Sequence, residues 1–325
     1  MDFGPVPLDQ ALGAVLAHSV PLAQGRLRKG TVLAEGDLAA LRATGAKEVT
    51  VARLAPDDLD EDAAALALAE ALIAGGEGLT LKPVGTGRVN IHADGPGLAR
   101  IGVAQVHAVN AADPAITLAT VPEWQRMDAG GMVATVKIIT YGVDKDNISR
   151  ACVAARKGLS LARPVLSRAV MVETVVGEGL GDKGWRVTAD RLERLGVTLA
   201  PEVLVRHEAG ALAEALRATE ADLILILTAS ATSDIRDVAP EGVRLAGGNV
   251  SHFGMPVDPG NLLLLGDLRG TPVVGLPGCA RSPALNGADW VIERLVCGVP
   301  VGPADIRRMG VGGLLKDIPT RPRPR

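Results

Sequence analysis

Residues 222–227, Asp-Leu-Ile-Leu-Ile-Leu, are an apolar run that ends abruptly in small and hydroxylated residues, Thr-Ala-Ser-Ala-Thr-Ser-Asp at 228–234. A strand with no polar face has to be covered on both sides, the situation of a parallel sheet sandwiched between helices. The flanking sequence agrees. From Arg168 onward the chain alternates strand, loop and helix: a buried strand at 169–174, a glycine-rich loop at 177–184, a helix at 185–195, a strand at 197–205 and a helix at 208–218. The expected fold class is therefore α/β, a three-layer domain with a mostly parallel sheet. Ligands of such sheets sit where the strands finish, which picks out residues 173–184 and 228–237.

The part before residue 168 reads differently. Residues 8–17 have helical spacing, 38–44 and 63–74 are Ala/Leu helices, and 48–51 is a strand. Residues 78–141 are rich in Val, Ile, Thr and Gly in short alternating runs, with one short helix near 103–110, and 144–157 is helical. This gives a smaller mixed α+β region ahead of the α/β domain. The boundaries expected are 1–58 for an N-terminal segment, 59–165 for a mixed α+β insert, 166–304 for the α/β domain and 305–325 for a partly disordered Pro/Arg tail.

Composition excludes several classes. With two Phe, one Tyr and three Trp, the chain lacks the aromatic platform for base stacking, and a formal net charge of −3 argues against a phosphate-backbone surface; no nucleic-acid partner is expected. The three cysteines are far apart with no CxxC pair, against a cysteine-built metal site or a disulfide framework. No apolar stretch spans a bilayer and the N-terminus has no signal-peptide pattern, so a cytoplasmic protein with no membrane partner is expected.

Three clusters carry candidate chemistry. The first is the 228–237 loop: Thr228, Ala229, Ser230, Thr232 and Ser233 offer N–H and hydroxyl donors to a phosphate, and Asp234 and Asp237 are oxygen donors suited to Mg²⁺. Read without a ligand, the same loop is a capped turn. The second is the turn Pro259, Gly260, Asn261 after His252. The third is the turn of Pro277, Gly278, Arg281 and Ser282, where a cation stands near an expected helix start. Either Pro-Gly turn taken alone is better explained as a strand end. Lys137, in the apolar run Ala-Thr-Val-Lys-Ile-Ile, needs a partner or faces water on an alternating strand, and the second reading is favoured.

In this order and spacing the three clusters resemble the molybdopterin-binding domain of molybdopterin molybdenumtransferases and adenylyltransferases. That family has a Thr-Gly-Gly-x-Ser-x-Gly-Asp-like loop after its third strand, then Pro-Gly-Lys, then Leu-Pro-Gly-Asn-Pro-x-Ser; here the counterparts are 228–234, 259–261 and Leu-Pro-Gly-Cys-Ala-Arg-Ser at 276–282. The resemblance covers about 168–299, with a weaker one at 12–54. The whole chain is similar to the first part of longer bacterial proteins, in which a molybdopterin-binding region precedes a nucleotidyltransferase-like module. The chain departs from the pattern at Ala229 and Ser230, where the family has glycines, and at Asp258 and Asn261, where it has lysines.

The resemblance implies molybdopterin as ligand or substrate, with Mg²⁺ at Asp234 and Asp237 as catalytic and metal-binding residues. It implies a place in molybdenum-cofactor biosynthesis, either in molybdate insertion into adenylated molybdopterin or as a non-catalytic carrier serving a nucleotidyltransferase or a molybdoenzyme. It also implies a homodimer.

Overall fold

Glycines and reverse turns decide where the elements break. The computed structural model describes residues 1–177 and 181–315. Residues 178–180 of the expected glycine-rich loop, and 316–325 of the expected tail, lie outside the described residues. By contacts the chain divides into two units, 1–95 with 99–161, and 96–98 with 162 onward.

The first unit begins with a three-stranded antiparallel sheet in which Asp2–Pro7 and Val15–Leu16 flank Glu48–Arg53. The helix expected at 8–17 is not formed. A single 3-10 turn, Leu8–Gln10, is followed by Gly13 at φ +73°, a left-handed conformation that ends any helix, and the chain then joins the sheet. The apolar spacing serves instead to bury Leu8, Ala11, Ala14 and Leu16 against the helix Glu35–Ala43.

Further on, helix Glu61–Ile73 starts at Asp60, whose side chain accepts from the N–H groups of Asp62 and Ala63. It packs on a four-stranded antiparallel sheet ordered Ile116–Thr120, Met132–Ile138, Arg88–Ala93, Leu79–Gly85. The core between them contains Leu68, Leu72, Ile91, Val136 and Ile138. Lys137 does not simply face water. Its ammonium donates to the carbonyls of Thr86 and Ile138 and lies 3.4 Å from Glu61 Oε2.

The second unit is built on seven strands. They are β1 (Arg168–Val175), β2 (Thr198–Leu199), β3 (Val203–Arg206), β4 (Leu223–Leu227), β5 (Asn249–Met255), β6 (Asn261–Leu268) and β7 (Thr271–Leu276). The order is β2-β1-β4-β7-β6-β5, with β3 also paired to β1. β2 meets Arg168 and Ala169 of β1 while β3 meets 172–175, so the two are one edge strand interrupted at residues 200–202.

β1 to β4 and β7 pair in parallel; β6 and β5 are antiparallel. The mostly parallel sheet expected from sequence is thus mixed. The cause is local: Arg269 and Gly270, at φ +55° and +85°, make a two-residue turn of the kind that only an antiparallel hairpin uses.

The helices are α1 (Lys183–Glu193), α2 (Ala209–Ala218), α3 (Val238–Leu245), α4 (Gly287–Val296) and α5 (Pro303–Arg308). Val170, Val172, Ile224, Ile226 and Val273 pack against Leu212 and Leu216 of α2 and Val243 of α3. Met171, Leu225 and Val274 alternate with them and point to the opposite face, where α1 and α4 pack. Full burial of each Leu or Ile of β4 contributes about 1.5–3 kcal/mol.

Candidate functional site

The register aligns the ends of three parallel strands: Glu173 lies beside Leu227, and Leu227 beside Leu276. The loops that follow β4 and β7 therefore leave from one edge. β6 runs the other way, so Asn261 begins at that same edge.

Side chains tie the three clusters together. Arg281, at the end of a 3-10 turn Gly278–Arg281 introduced by Pro277, places one guanidinium nitrogen 2.8 Å from Glu173 Oε1 and donates another to the Thr228 carbonyl at 3.3 Å. Asn261 is buried; it donates to Asn286 Oδ1 at 3.3 Å, and the Asn286 amide in turn donates to Cys279 Sγ at 2.9 Å. Pro259 and Gly260 form the exposed tip before Asn261, with Gly260 at φ +96°.

Within the 228–237 loop much of the polar capacity is spent internally. Thr228 Oγ1 donates to the Ser230 carbonyl at 2.6 Å and lies 3.4 Å from Thr232 Oγ1. The Ala229 N–H donates to Thr174 Oγ1 at 3.1 Å, and that hydroxyl is 2.8 Å from His207 Nδ1. The Ser282 hydroxyl accepts from the Ala284 N–H. Among the described residues, the N–H groups of Ser230, Ala231 and Thr232 have no protein acceptor. Three consecutive free donors after a strand are an anion-binding arrangement.

The two aspartates proposed for a divalent cation are each engaged within the protein. Asp237 caps α3: Oδ1 accepts from the Val238 N–H at 2.7 Å and Oδ2 from the Ser233 N–H at 2.9 Å. Burial works against its charge, but these N–H groups and the Ser233 hydroxyl hold its carboxyl below the usual range. Asp234 is exposed, and its Oδ1 accepts from both the backbone and the side chain of Arg236; the Arg236 side chain holds it low. A guanidinium at one carboxylate and a helix cap on the other thus take up part of their oxygen capacity. Among the described residues no group of three His, Cys, Asp or Glu is placed to hold a metal ion.

Several site residues escape a reading of sequence motifs. Glu173 is 1% exposed and completes the Arg281 pair. Arg191 of α1 clasps the third cluster, donating to the carbonyls of Ala280 (2.6 Å), Ser282 and Ala284 while paired with Asp289 at 2.6 Å. Gly184 permits this packing, since a Cβ there would lie 2.6 Å from Leu227 Cδ2 and 3.0 Å from an Arg281 guanidinium nitrogen. Glu202, just before β3, brings its carboxyl against that of Glu173. Burial pushes the Glu202 carboxyl up, the adjoining Glu173 carboxyl and the charge of Asp182 add to this, and Arg281 opposes it. The one signal in the sequence was Glu173 itself, a charge in an otherwise apolar strand.

Residues 5–53 match a family model described as a domain of unknown function, DUF8806. No curated protein matches the chain in sequence. A molybdopterin biosynthesis moea protein from Pyrococcus horikosii aligns with 92% of this chain and 75% of its own, at 12% identity and a TM-score of 0.30. A molybdenum cofactor biosynthesis protein from Pyrococcus furiosus aligns with 94% and 65% respectively, at 14% identity and a TM-score of 0.27. Scores of this size do not establish a shared fold. Among the described residues no helix is long and apolar enough to cross a membrane.

Proposed function

We propose that the edge where β1, β4 and β7 end binds molybdopterin, and that the protein serves molybdenum-cofactor biosynthesis. One observation carries the reading: Arg281, from the Leu-Pro-Gly cluster, joins the Thr228 loop and the end of β1. Two segments selected by their family-like motifs, about fifty residues apart, thus share one rim.

The phosphate of the ligand meets the free N–H groups of Ser230, Ala231 and Thr232. Arg281 is already neutralised by Glu173, so it orients the rim and supplies no spare positive charge. The homodimer implied by the resemblance belongs to the same proposal.

Two roles remain on this rim. One is molybdate insertion into adenylated molybdopterin. The other, a non-catalytic carrier for a nucleotidyltransferase or molybdoenzyme, is favoured by the internal commitment of Asp234 and Asp237. Incubation of the purified protein with molybdopterin, Mg²⁺ and either molybdate or ATP separates them. Binding without product supports the carrier; product that disappears in Asp234→Ala supports the transferase. Absence of molybdopterin binding overturns both. Arg281→Ala is expected to weaken binding at least about tenfold, since it frees the Thr228 loop and leaves Glu173 unpaired.

A further inference from the structure

The Glu173–Glu202 pair has an unbalanced hydrogen-bond count. Glu173 Oε1 is paired with Arg281, but Glu173 Oε2 and Glu202 Oε1 are buried oxygens with no donor. Two ionised carboxylates cannot bond each other. With a proton on Glu202, its O–H donates to Glu173 and both oxygens are satisfied. Register explains the meeting. Leu204 is the β-partner of Glu173, and Glu202, two residues earlier, shares its side of the sheet.

Glu202 differs from Glu173 in access, being half-buried where Glu173 is closed off. It sits in the interruption of the edge strand, where Ala200 still donates to the Ala169 carbonyl but residues 201 and 202 belong to neither paired piece. Trp185 of α1 anchors this interruption, its indole N–H donating to the Ala200 carbonyl at 2.9 Å. Trp185 is itself half-buried, one of only three Trp in the chain. An aromatic ring of α1 tied to the Ala200 carbonyl, with a carboxylate two residues further along the chain, suits a flat heterocycle: the ring stacks, and the carboxylate receives paired N–H groups.

We propose that Glu202 is a subsite for the amino–imino N–H edge of a 2-amino-4-oxopyrimidine, the edge that pterins and guanine share. Glu202 Oε1 is sealed in the unbound protein, so binding turns the carboxyl away from Glu173 and exchanges the proton that it holds there for two N–H donors from the ligand. The displaced proton passes to solvent, and Glu173 stays on Arg281 as the positioning residue. The inference rests on the pterin reading given above for the identity of the natural ligand, but not for the chemistry of the edge.

Because the ionised carboxylate is what binds, affinity rises with pH below the raised Glu202 pKa, by up to about tenfold per pH unit. The charged groups that face Glu202 are Glu173, Asp182 and Arg281, and the first two oppose its ionisation.

The test is titration calorimetry on the full chain with 6-hydroxymethylpterin, guanosine and adenosine, at mildly acidic pH and in two buffers of different ionisation heat. Adenosine lacks the edge. The expected result is binding of the pterin with release of about one proton and no binding of adenosine. Glu202→Gln keeps the shape and, with thermal melting confirming its fold, should bind at least about tenfold more weakly and release no proton. Glu173→Gln should still bind, with its pH profile displaced to lower pH, an effect that a purely structural residue would not produce. Pterin binding that is unchanged in Glu202→Gln overturns the subsite and leaves the molybdopterin reading standing. Guanosine binding with proton release but no pterin binding supports the subsite and overturns the pterin reading. No binding of either compound overturns both.

Discussion

Lys137 in the first unit and Glu173 in the second each interrupt an apolar stretch of strand, and the two are treated differently. In the first unit Lys137 is enclosed by acceptors: two carbonyls take its ammonium protons and Glu61 supplies the opposite charge. In the second unit Glu173 is answered on one oxygen by Arg281 and left with the other against a second carboxyl group. A buried charge whose every hydrogen-bonding position is filled by its own chain is a structural element. One that leaves capacity over marks where another molecule can be received. The contrast separates two residues that look alike in sequence.

The comparison is most exposed at Arg191. If the rim is a rigid scaffold around Glu173, the residue clasping it should matter more than the charge in the first unit. Arg191→Ala removes the ion-pair partner that Arg191 gives a mostly buried Asp289 and strips three carbonyls of a donor, and should cost about 3 kcal/mol in denaturant unfolding. A loss below about 1 kcal/mol would show the turn to be held by its own 3-10 geometry.

The next effect compares the two charges directly. Glu173→Leu leaves Arg281 unpaired and should destabilise by about 2–3 kcal/mol. Lys137→Met, at a pair that is more open to water, should cost about 1 kcal/mol or less. Equal losses would remove the distinction drawn between the two sites.

The smallest effect is in pH dependence, where Glu202 and Asp222 should act in opposite directions. The N–H groups of Ser167 and Arg168, helped by the Ser167 hydroxyl, hold Asp222 low. Its folded pKa lies below its unfolded one, so its contribution is present above the unfolded value and lost as pH falls through the folded value. Asp222→Asn should therefore flatten the acid limb of a stability–pH curve. Glu202 is raised, chiefly by burial. Its contribution is present below the ordinary glutamate pKa and lost as pH rises through the folded value. Glu202→Gln should remove that loss and leave the acid limb alone.

The sequence makes some of this legible and hides the rest for physical reasons. The apolar run at 223–227 announces its own strand and the loop after it, because a strand without a polar face has few other fates. The motif clusters at 228–234 and 276–282 could be placed on one edge because parallel strands end together. The meeting of Glu173 with Glu202 could not be read, since it depends on how β3 registers against β1 across an intervening helix. That Asp234 and Asp237 are engaged within the protein could not be read, because composition shows carboxylates but not whether a helix cap or an arginine has claimed their oxygens. The misread helix at 8–17 has a simpler cause: apolar spacing of three and four also fits a turn followed by a strand, and Gly13 decides between them.

The interruption at residues 200–202 has a consequence beyond ligand binding. The outer margin of a sheet is a row of unpaired amides and carbonyls that invites other chains to add themselves. Here that margin is broken into a two-residue and a four-residue piece, with Pro201, which has no N–H to donate, between them. The same interruption that brings a carboxyl group to the rim therefore shortens the row open to edge-to-edge pairing on this flank of the sheet.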